Sequence, residues 1–229
     1  MSDKLSPHDN IQQFLTELAN HGRTDCYSAF DTSKGKGYKL RKQEITEQVI
    51  DAHAKNEQPI ATYQFKGEFT RLAALDVDNH GGELDWSELI EKVRPILDGL
   101  HSLGFKPLVV RSGGGAGIHI LMAWRGPQLT RKVRRFLAKL LAKYGLKHGT
   151  TGIANGTIEV YPKADSIQKG KFGTPLALPF ARESVPLDAS LQPILLDDYD
   201  PPRLVDLYGP PLDDFSDEYF EPEKVHRSD

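Results

Sequence analysis

The feature that most constrains the fold is the order of strand and helix patterns between residues 70 and 162. Four short apolar segments have strand character, and two longer segments place apolar residues at helical spacing. In chain order they are TRLAALDVD (strand), DWSELIEKVRPILDGLHSLG (helix), KPLVVRS and GIHILMAW (strands), TRKVRRFLAKLLAKYG (helix) and TIEVYP (strand). The order βαββαβ limits the chain to a small set of mixed topologies.

This order predicts an α+β fold with a ferredoxin-like, or RRM-like, catalytic palm. Its strands follow the spatial order 4-1-3-2, both helices cover one face of the sheet, and the other face is expected to be open. Two further helix patterns and a strand precede this unit and predict a small N-terminal α/β module. We expect the module at residues 1–65, the RRM-like unit at 66–205 and an acidic, proline-rich tail or linker at 206–229.

Composition and charge narrow the class of protein. No apolar run reaches about 18 residues, and the first residues lack a secretory signal pattern, which predicts a cytoplasmic protein that does not enter a membrane. The single cysteine, Cys26, excludes an intramolecular disulfide and predicts no structural zinc of the cysteine-rich kind. Residues 1–180 carry 25 Lys and Arg against 19 Asp and Glu, whereas residues 181–229 carry 4 against 13. The basic body is compatible with nucleic-acid or nucleotide binding.

Strand alternation directs four polar side chains to one face of the predicted sheet. Asp76 and Asp78 lie two residues apart on the first strand, so they share the face that points away from the helices. The same alternation places His119 of the third strand and Glu159 of the fourth strand on that face. Three neighbouring carboxylates repel one another unless a cation neutralises them, and oxygen ligands suit Mg²⁺ or Mn²⁺.

Such a face has a chemical use in nucleotidyl transfer. Two ions about 4 Å apart activate a 3′-hydroxyl and stabilise the triphosphate and leaving group. The turn SGGGAG, residues 112–117, offers backbone N–H groups without side-chain bulk, as phosphate-binding loops do. Taken alone, an Asp-x-Asp pair is more often a surface turn, and a glycine-rich hairpin is more often a plain turn. Their joint placement is what indicates a metal-dependent site.

Three motifs resemble those of the archaeo-eukaryotic primase superfamily, the primase-polymerases. LAALDVD resembles the first motif, whose acids bind metal; RSGGGAGIHI resembles the second, whose serine and histidine bind the triphosphate of the incoming nucleotide; and IEVYPKAD resembles the third, which adds the last carboxylate. The resemblance implies a two-metal site of Mg²⁺ or Mn²⁺. The implied catalytic metal ligands are Asp76, Asp78 and Glu159, and the implied nucleotide-binding residues are Ser112, Gly115, Gly117, His119 and Lys163.

The segment EVYPKADSIQKGKFGTPLALPF resembles the branch found in mobile elements, conflict systems and CRISPR-associated primase-polymerases. That branch has a PKQ-like turn followed by GxGNxIxLP. Lys163 is kept, whereas Ala164 stands where glutamine is expected and Thr174 where asparagine is expected. The resemblance implies a template-dependent enzyme that extends a 3′-hydroxyl, with de novo priming left open. Its substrates would be single-stranded or primed DNA or RNA and NTP or dNTP, and its partners a helicase, another replication or CRISPR protein, or a further C-terminal domain.

Lysines in two loops are candidate contacts to nucleic acid. Lys169 and Lys171 follow the fourth strand, and Lys34 and Lys36 lie in the glycine-rich segment SKGKGYK. The basic face of the helix at 131–147 is expected to lie opposite the site, and a solvated surface is its simpler interpretation.

Two alternatives to a primase-polymerase remain open at this point. A non-catalytic RRM-like nucleic-acid-binding module would carry aromatic side chains where this chain has Asp76, Asp78 and His119. Another metal-dependent nucleotidyl enzyme on a ferredoxin-like palm, such as a nucleotide cyclase, expects an acid in the hairpin where this chain has SGGGAG.

Overall fold

The computed structural model describes residues 6–31 and 37–220, which form two β-sheets and four α-helices joined by loops and short 3₁₀ turns. The helices are α1 (Pro7–Ala19), α2 (Glu47–Ala54), α3 (Trp86–Ser102) and α4 (Thr130–Lys143). The strands are β1 (Tyr27–Phe30), β2 (Tyr38–Arg41), β3 (Ile60–Thr62), β4 (Phe65–Lys66), β5 (Phe69–Val77), β6 (Leu108–Arg111), β7 (Ile118–Leu129), β8 (Lys147–His148), β9 (Thr157–Tyr161) and β10 (Leu176–Ala177). Among the described residues, no helix combines the length and apolar character needed to cross a membrane.

The larger sheet has the predicted topology. Its strands follow the order β6-β7-β5-β9-β8, so the four predicted strands lie in the order 4-1-3-2. The pairs β6–β7, β7–β5 and β5–β9 are antiparallel, β8 adds a short parallel edge beside β9, and β4 pairs with β5. The predicted α+β fold class is confirmed.

Both predicted helices of this unit form, and local capping explains where α3 begins. The Asp85 carboxylate accepts a hydrogen bond from the Glu88 amide (2.9 Å), and the Glu88 carboxylate accepts one from the Asp85 amide (2.8 Å). Pro95 lies inside α3 without ending it, since the helix continues to Ser102. Apolar side chains of α3 and α4 then cover one face of the sheet, where Leu75 and Val77 are fully buried.

The opposite face of the sheet is only partly accessible, so the expectation of an open face was wrong. Leu72 and Ala74 occupy the same alternate positions of β5 as Asp76, and both are buried against apolar side chains of α1. The physical reason is that these positions are apolar at one end of the strand and acidic at the other. Packing of the N-terminal module covers the apolar end, and the acidic end carries the half-buried side chains of Asp76 and Asp78.

The N-terminal module contains the smaller sheet, whose strands follow the order β10-β3-β1-β2. Its outermost strand, β10, comes from residues after β9, so the chain returns to this module after building the larger sheet. The two sheets are thus linked by more than one chain crossing. The domain boundaries at 65 and 205 stay a prediction.

The acidic C-terminal segment packs on the larger unit as far as residue 220. Leu212 is fully buried, and Phe215 lies against the rings of Phe105 and Phe136. The indole N–H of Trp124 donates to the Pro210 carbonyl at 2.9 Å. The proposed linker role of residues 206–229 stays a prediction, and residues 221–229 lie outside the described part of the chain.

Candidate metal centre

The structure brings the three predicted carboxylates together. Asp76 is at the end of β5, directly opposite His119 on β7 and Glu159 on β9, and Asp78 follows the last residue of β5. One oxygen from each of Asp76, Asp78 and Glu159 lies within 4.8 Å of the others. The period of two along antiparallel strands is sufficient to produce this convergence.

The cluster is only partly neutralised by the protein itself, through an ion pair between Lys163 and Glu159. The Asp76 and Glu159 side chains are only 14% and 11% exposed. His119 Nε2 lies 3.1 Å from Oδ1 of Asp76, yet that buried oxygen receives no well-directed hydrogen bond from a described residue. A buried carboxylate oxygen without a hydrogen bond is costly unless a cation approaches it. The donor set of hard oxygens and the unsatisfied Asp76 oxygen therefore fit a divalent cation such as Mg²⁺ or Mn²⁺.

The electrostatics of the cluster agree with this geometry. Burial, together with the charges of Asp76 and Glu159, raises the pKa of Asp78 to about 6. Burial lowers the pKa of His119, but the charge of Asp76 and its contact with the ring outweigh burial, so the pKa of His119 is raised overall. Without a cation, the cluster therefore retains protons that free side chains of these types would release more readily.

Lys163, which the sequence analysis names as a nucleotide-binding candidate, lies at the cluster. Its ammonium group forms an ion pair with Glu159 and lies 4.7 Å from the centre of the Tyr161 ring. The sequence analysis did not identify Tyr161. Burial and the charges of Asp76 and Glu159 raise the pKa of its hydroxyl. Extending the alternation of β9 by two residues beyond Glu159 would have identified this side chain.

The glycine-rich turn lies against the end of β5. The Ser112 hydroxyl accepts a hydrogen bond from the Gly117 amide at 3.1 Å, and a methyl group added at Gly117 would lie 2.5 Å from the Val77 carbonyl oxygen. The Gly115 amide donates to the Ser112 carbonyl, and a side chain at Gly115 would overlap the Glu183 carboxylate. The amides of Gly115 and Gly117 are therefore used within the turn. The amides that bond to no other described residue are those of Gly113, Gly114 and Ala116.

Arg182 is a second residue that the sequence analysis missed. Its guanidinium lies 3.6 Å from the position of a methyl group on Gly113, and it stacks 4.3 Å above the centre of the Phe30 ring. Its side chain is exposed, and within the described part of the chain no carboxylate forms an ion pair with it. Phe180 and Arg182 both have left-handed backbone angles (φ 71° and 59°), which residue type does not signal.

His80 also lies beside the cluster and was not identified from the sequence. Its Nε2 donates to the Thr150 carbonyl at 3.0 Å, and this hydrogen bond, with the charges of Asp78 and Glu159, raises its pKa. The sequence feature that could have identified His80 is its position two residues after Asp78.

The predicted nucleic-acid lysines do not join the carboxylates. Lys169 and Lys171 are exposed in the loop after β9, and the Lys171 carbonyl accepts a hydrogen bond from Arg23 of the N-terminal module at 3.1 Å. Lys34 and Lys36 lie outside the described residues, so their placement stays a prediction.

Comparison with known proteins assigns the chain to a family. The family model for the archaeo-eukaryotic primase domain of TOTE conflict systems matches residues 22–192, a range that contains the carboxylate cluster and the glycine-rich turn. Among solved structures, the archaeo-eukaryotic primase domain of the cyanophage S-2L primase-polymerase is similar, with a TM-score of 0.38 and 14% identity over 70% of this chain and 92% of that one. No curated protein matches the chain. Since the matching family model covers about three quarters of its residues, the chain belongs to the archaeo-eukaryotic primase family, in the branch of TOTE conflict systems.

Proposed function

We propose that the chain is a primase-polymerase that adds nucleotides to the 3′-hydroxyl of a primed template. Membership of the family supports the class of reaction, a nucleotidyl transfer. The observation that carries the proposal is the convergence of one oxygen each from Asp76, Asp78 and Glu159 within 4.8 Å in a partly buried cluster. A solvated acidic surface has no need of such an arrangement.

The three carboxylates would hold the divalent ions. Two Mg²⁺ or Mn²⁺ ions bound there would supply an activated 3′-hydroxyl and neutralisation of the charge on the triphosphate. Cation binding requires Asp78 to lose the proton that its raised pKa favours. Lys163 forms an ion pair with Glu159, and with a cation at the carboxylates its ammonium group would be available to contact a phosphate.

The nucleotide would lie between the carboxylates and the glycine-rich turn. We assign triphosphate binding to Ser112, His119 and Lys163, as the family motifs imply. The amides of Gly113, Gly114 and Ala116, which bond to no other described residue, support this placement better than those of Gly115 and Gly117, which are bonded within the turn. Arg182, an exposed cation beside Gly113, is a further candidate for contact with the triphosphate.

A template strand would lie beside the nucleotide. Lys169 and Lys171 are candidates for contact with that strand, as are Lys34 and Lys36. The assay described next also measures whether NTP or dNTP is preferred and whether primers are started de novo.

The test is extension of a labelled primer on a single-stranded template by the full chain, with Mg²⁺ or Mn²⁺ and each nucleotide set. Replacing Asp76 and Asp78 by alanine should reduce extension about 1,000-fold or more, because metal-ion stabilisation of a transition state is worth several kcal/mol. The matched control replaces Glu91 and Asp98, two exposed acids of α3, and should leave extension unchanged. Normal extension by the Asp76/Asp78 double variant would refute the proposal. An arm with unprimed template separates priming from extension.

A further inference from the structure

A second charged surface lies on α4, on the opposite side of the sheet from the carboxylates. Four cations follow one another at a spacing of four residues, so they form a single row along the helix. These residues, the α4 cation row, are Arg131, Arg135, Lys139 and Lys143. Arg131, Arg135 and Lys143 are exposed, and Lys139 is partly exposed.

Among the described residues, the row has no carboxylate partner, and Arg135 donates a hydrogen bond to the Phe220 carbonyl at 3.3 Å. No Asp or Glu occurs from residue 99 to residue 158, a stretch with 10 Lys and Arg, although the whole chain is net negative. The neighbouring cations Lys132 and Arg134 form ion pairs with Asp213 and Asp165. Within the described residues, no carboxylate lies in ion-pairing distance of any member of the row.

This arrangement is unfavourable for the helix itself. Like charges four residues apart destabilise an α-helix, and the row contains three such pairs in succession. A solvated helix surface in an acid-rich chain would be expected to alternate its charges. Folding alone therefore does not explain why like charges follow one another in the α4 cation row. A bound polyanion would offset the repulsion between them.

The surroundings of the row favour a nucleic acid over a membrane or a protein. The apolar side chains of α4, among them Val133, Phe136 and Leu140, are buried under the sheet. The exposed side of the helix carries only the small apolar residues Ala138 and Ala142, and no large apolar side chain that would insert into a bilayer or form the core of a protein interface. Successive cations are about 6 Å apart along the helix axis, which suits a regular series of phosphates bound through charge alone.

We propose that the α4 cation row binds the phosphate backbone of a nucleic acid at a site separate from the metal centre. The helix underlies β8 and β9, the edge of the sheet that also carries Glu159. A strand bound by the row is held near this edge without occupying the nucleotide site. The proposal does not depend on the polymerase reaction, since it concerns binding that needs neither metal nor nucleotide.

The test measures binding of a fluorescein-labelled single-stranded oligodeoxythymidylate to the full chain by anisotropy, without divalent cations, over a series of salt concentrations. The variant Lys139→Ala/Lys143→Ala removes two members of the row that donate no hydrogen bond to a described residue, and alanine favours the helix. The slope of log Kobs against log salt should fall in magnitude by about 1.4, since each lost contact to a single strand contributes about 0.7. The matched control, Lys92→Ala/Lys106→Ala, removes two exposed cations outside the row and should leave the slope unchanged.

Two results would overturn the proposal. One is an equal change of slope in the row variant and the control variant, which would show only the effect of net charge. The other is loss of binding to phosphatidylserine vesicles in the row variant with unchanged oligonucleotide binding, which would assign the row to a membrane surface. The Asp76/Asp78 double variant should keep the full slope, so failure of the polymerase proposal and failure of this one are distinguishable.

Discussion

The two faces of the larger sheet are built from the same strands but are stabilised in opposite ways. On the helix-covered face, Leu75 and Val77 are fully buried in apolar surroundings. Asp76 and Asp78, the residues immediately before and after Val77, bring charge into a half-buried cluster on the other face. The difference teaches that alternate residues along this segment have opposite effects: one set stabilises the fold by apolar burial, and the other set brings like charges together where burial is unfavourable.

On the helix-covered face, the largest effect of a substitution on the free energy of unfolding is expected at Leu75. Replacing it by alanine should reduce the free energy of unfolding by about 3 kcal/mol, because the substitution leaves a cavity in a close-packed core. Urea denaturation measures this value, and the dependence of the free energy on urea concentration should be unchanged. A loss of less than about 1 kcal/mol would show that the packed face contributes less than its burial indicates.

The glycine-rich turn offers a comparison within six residues. A methyl group at Gly117 would lie 2.5 Å from the Val77 carbonyl oxygen, whereas one at Gly114 would contact nothing within 4 Å. Gly117→Ala should therefore displace the turn from β5, cost about 2 kcal/mol of stability and reduce nucleotide addition. Gly114→Ala is the matched control for folding and should leave the melting temperature unchanged. Equal effects of the two substitutions would show that the turn does not depend on its approach to β5.

Strand periodicity explains which parts of the site were predictable from the sequence. Because side chains alternate with a period of two, the placement of Asp76, His119 and Glu159 follows once the strand order is known, and that order follows from the βαββαβ pattern. The cover over Leu72 and Ala74 was not predictable in this way. It depends on how the N-terminal module packs, which is a contact between residues distant in sequence.

Arg182 shows a second limit of sequence reasoning. Its approach to Gly113 depends on left-handed backbone angles at Phe180 and at Arg182 itself, and neither residue type signals such a conformation. Tyr161, in contrast, follows from the same alternation that identified Glu159. Local periodicity therefore predicts the placement of side chains on strands. The placement of side chains on loops can be found only from the tertiary structure.

A smaller effect is expected at His119. Its side chain is almost as buried as the apolar face, since it is 8% exposed, but it contacts Asp76 of the acidic cluster. If its ring contacts the triphosphate, His119→Ala should raise the KM for the nucleotide about tenfold, the size expected for a lost hydrogen bond to a charged group, with a smaller change in kcat. Steady-state primer extension gives both constants. His101→Ala, an exposed histidine on α3, is the control. Unchanged KM in the His119 variant would remove the residue from the nucleotide site.

The smallest effect, and the most direct test of the acidic face, is a gain of stability in Asp78→Asn. In the metal-free protein the pKa of Asp78 is raised from 3.8 to about 6, so the folded state binds the proton more tightly than the unfolded state does. The contribution of Asp78 to wild-type stability should therefore be most favourable below about pH 4 and be lost as the pH rises through about 6. The asparagine variant lacks this loss.

The free energy of unfolding of the variant should exceed that of the wild type by an amount that grows across the same pH range to about 1 kcal/mol, after allowance for partial exposure to water. The gain appears as a higher melting temperature. Added Mn²⁺ should raise the melting temperature of the wild type by mass action but have little effect on the variant. Asp98→Asn, a change at an exposed acid of α3, should match the wild type at every pH. A stability gain that is independent of pH would mean that Asp78 acts through packing, and the two faces of β5 would then differ less than their charges indicate.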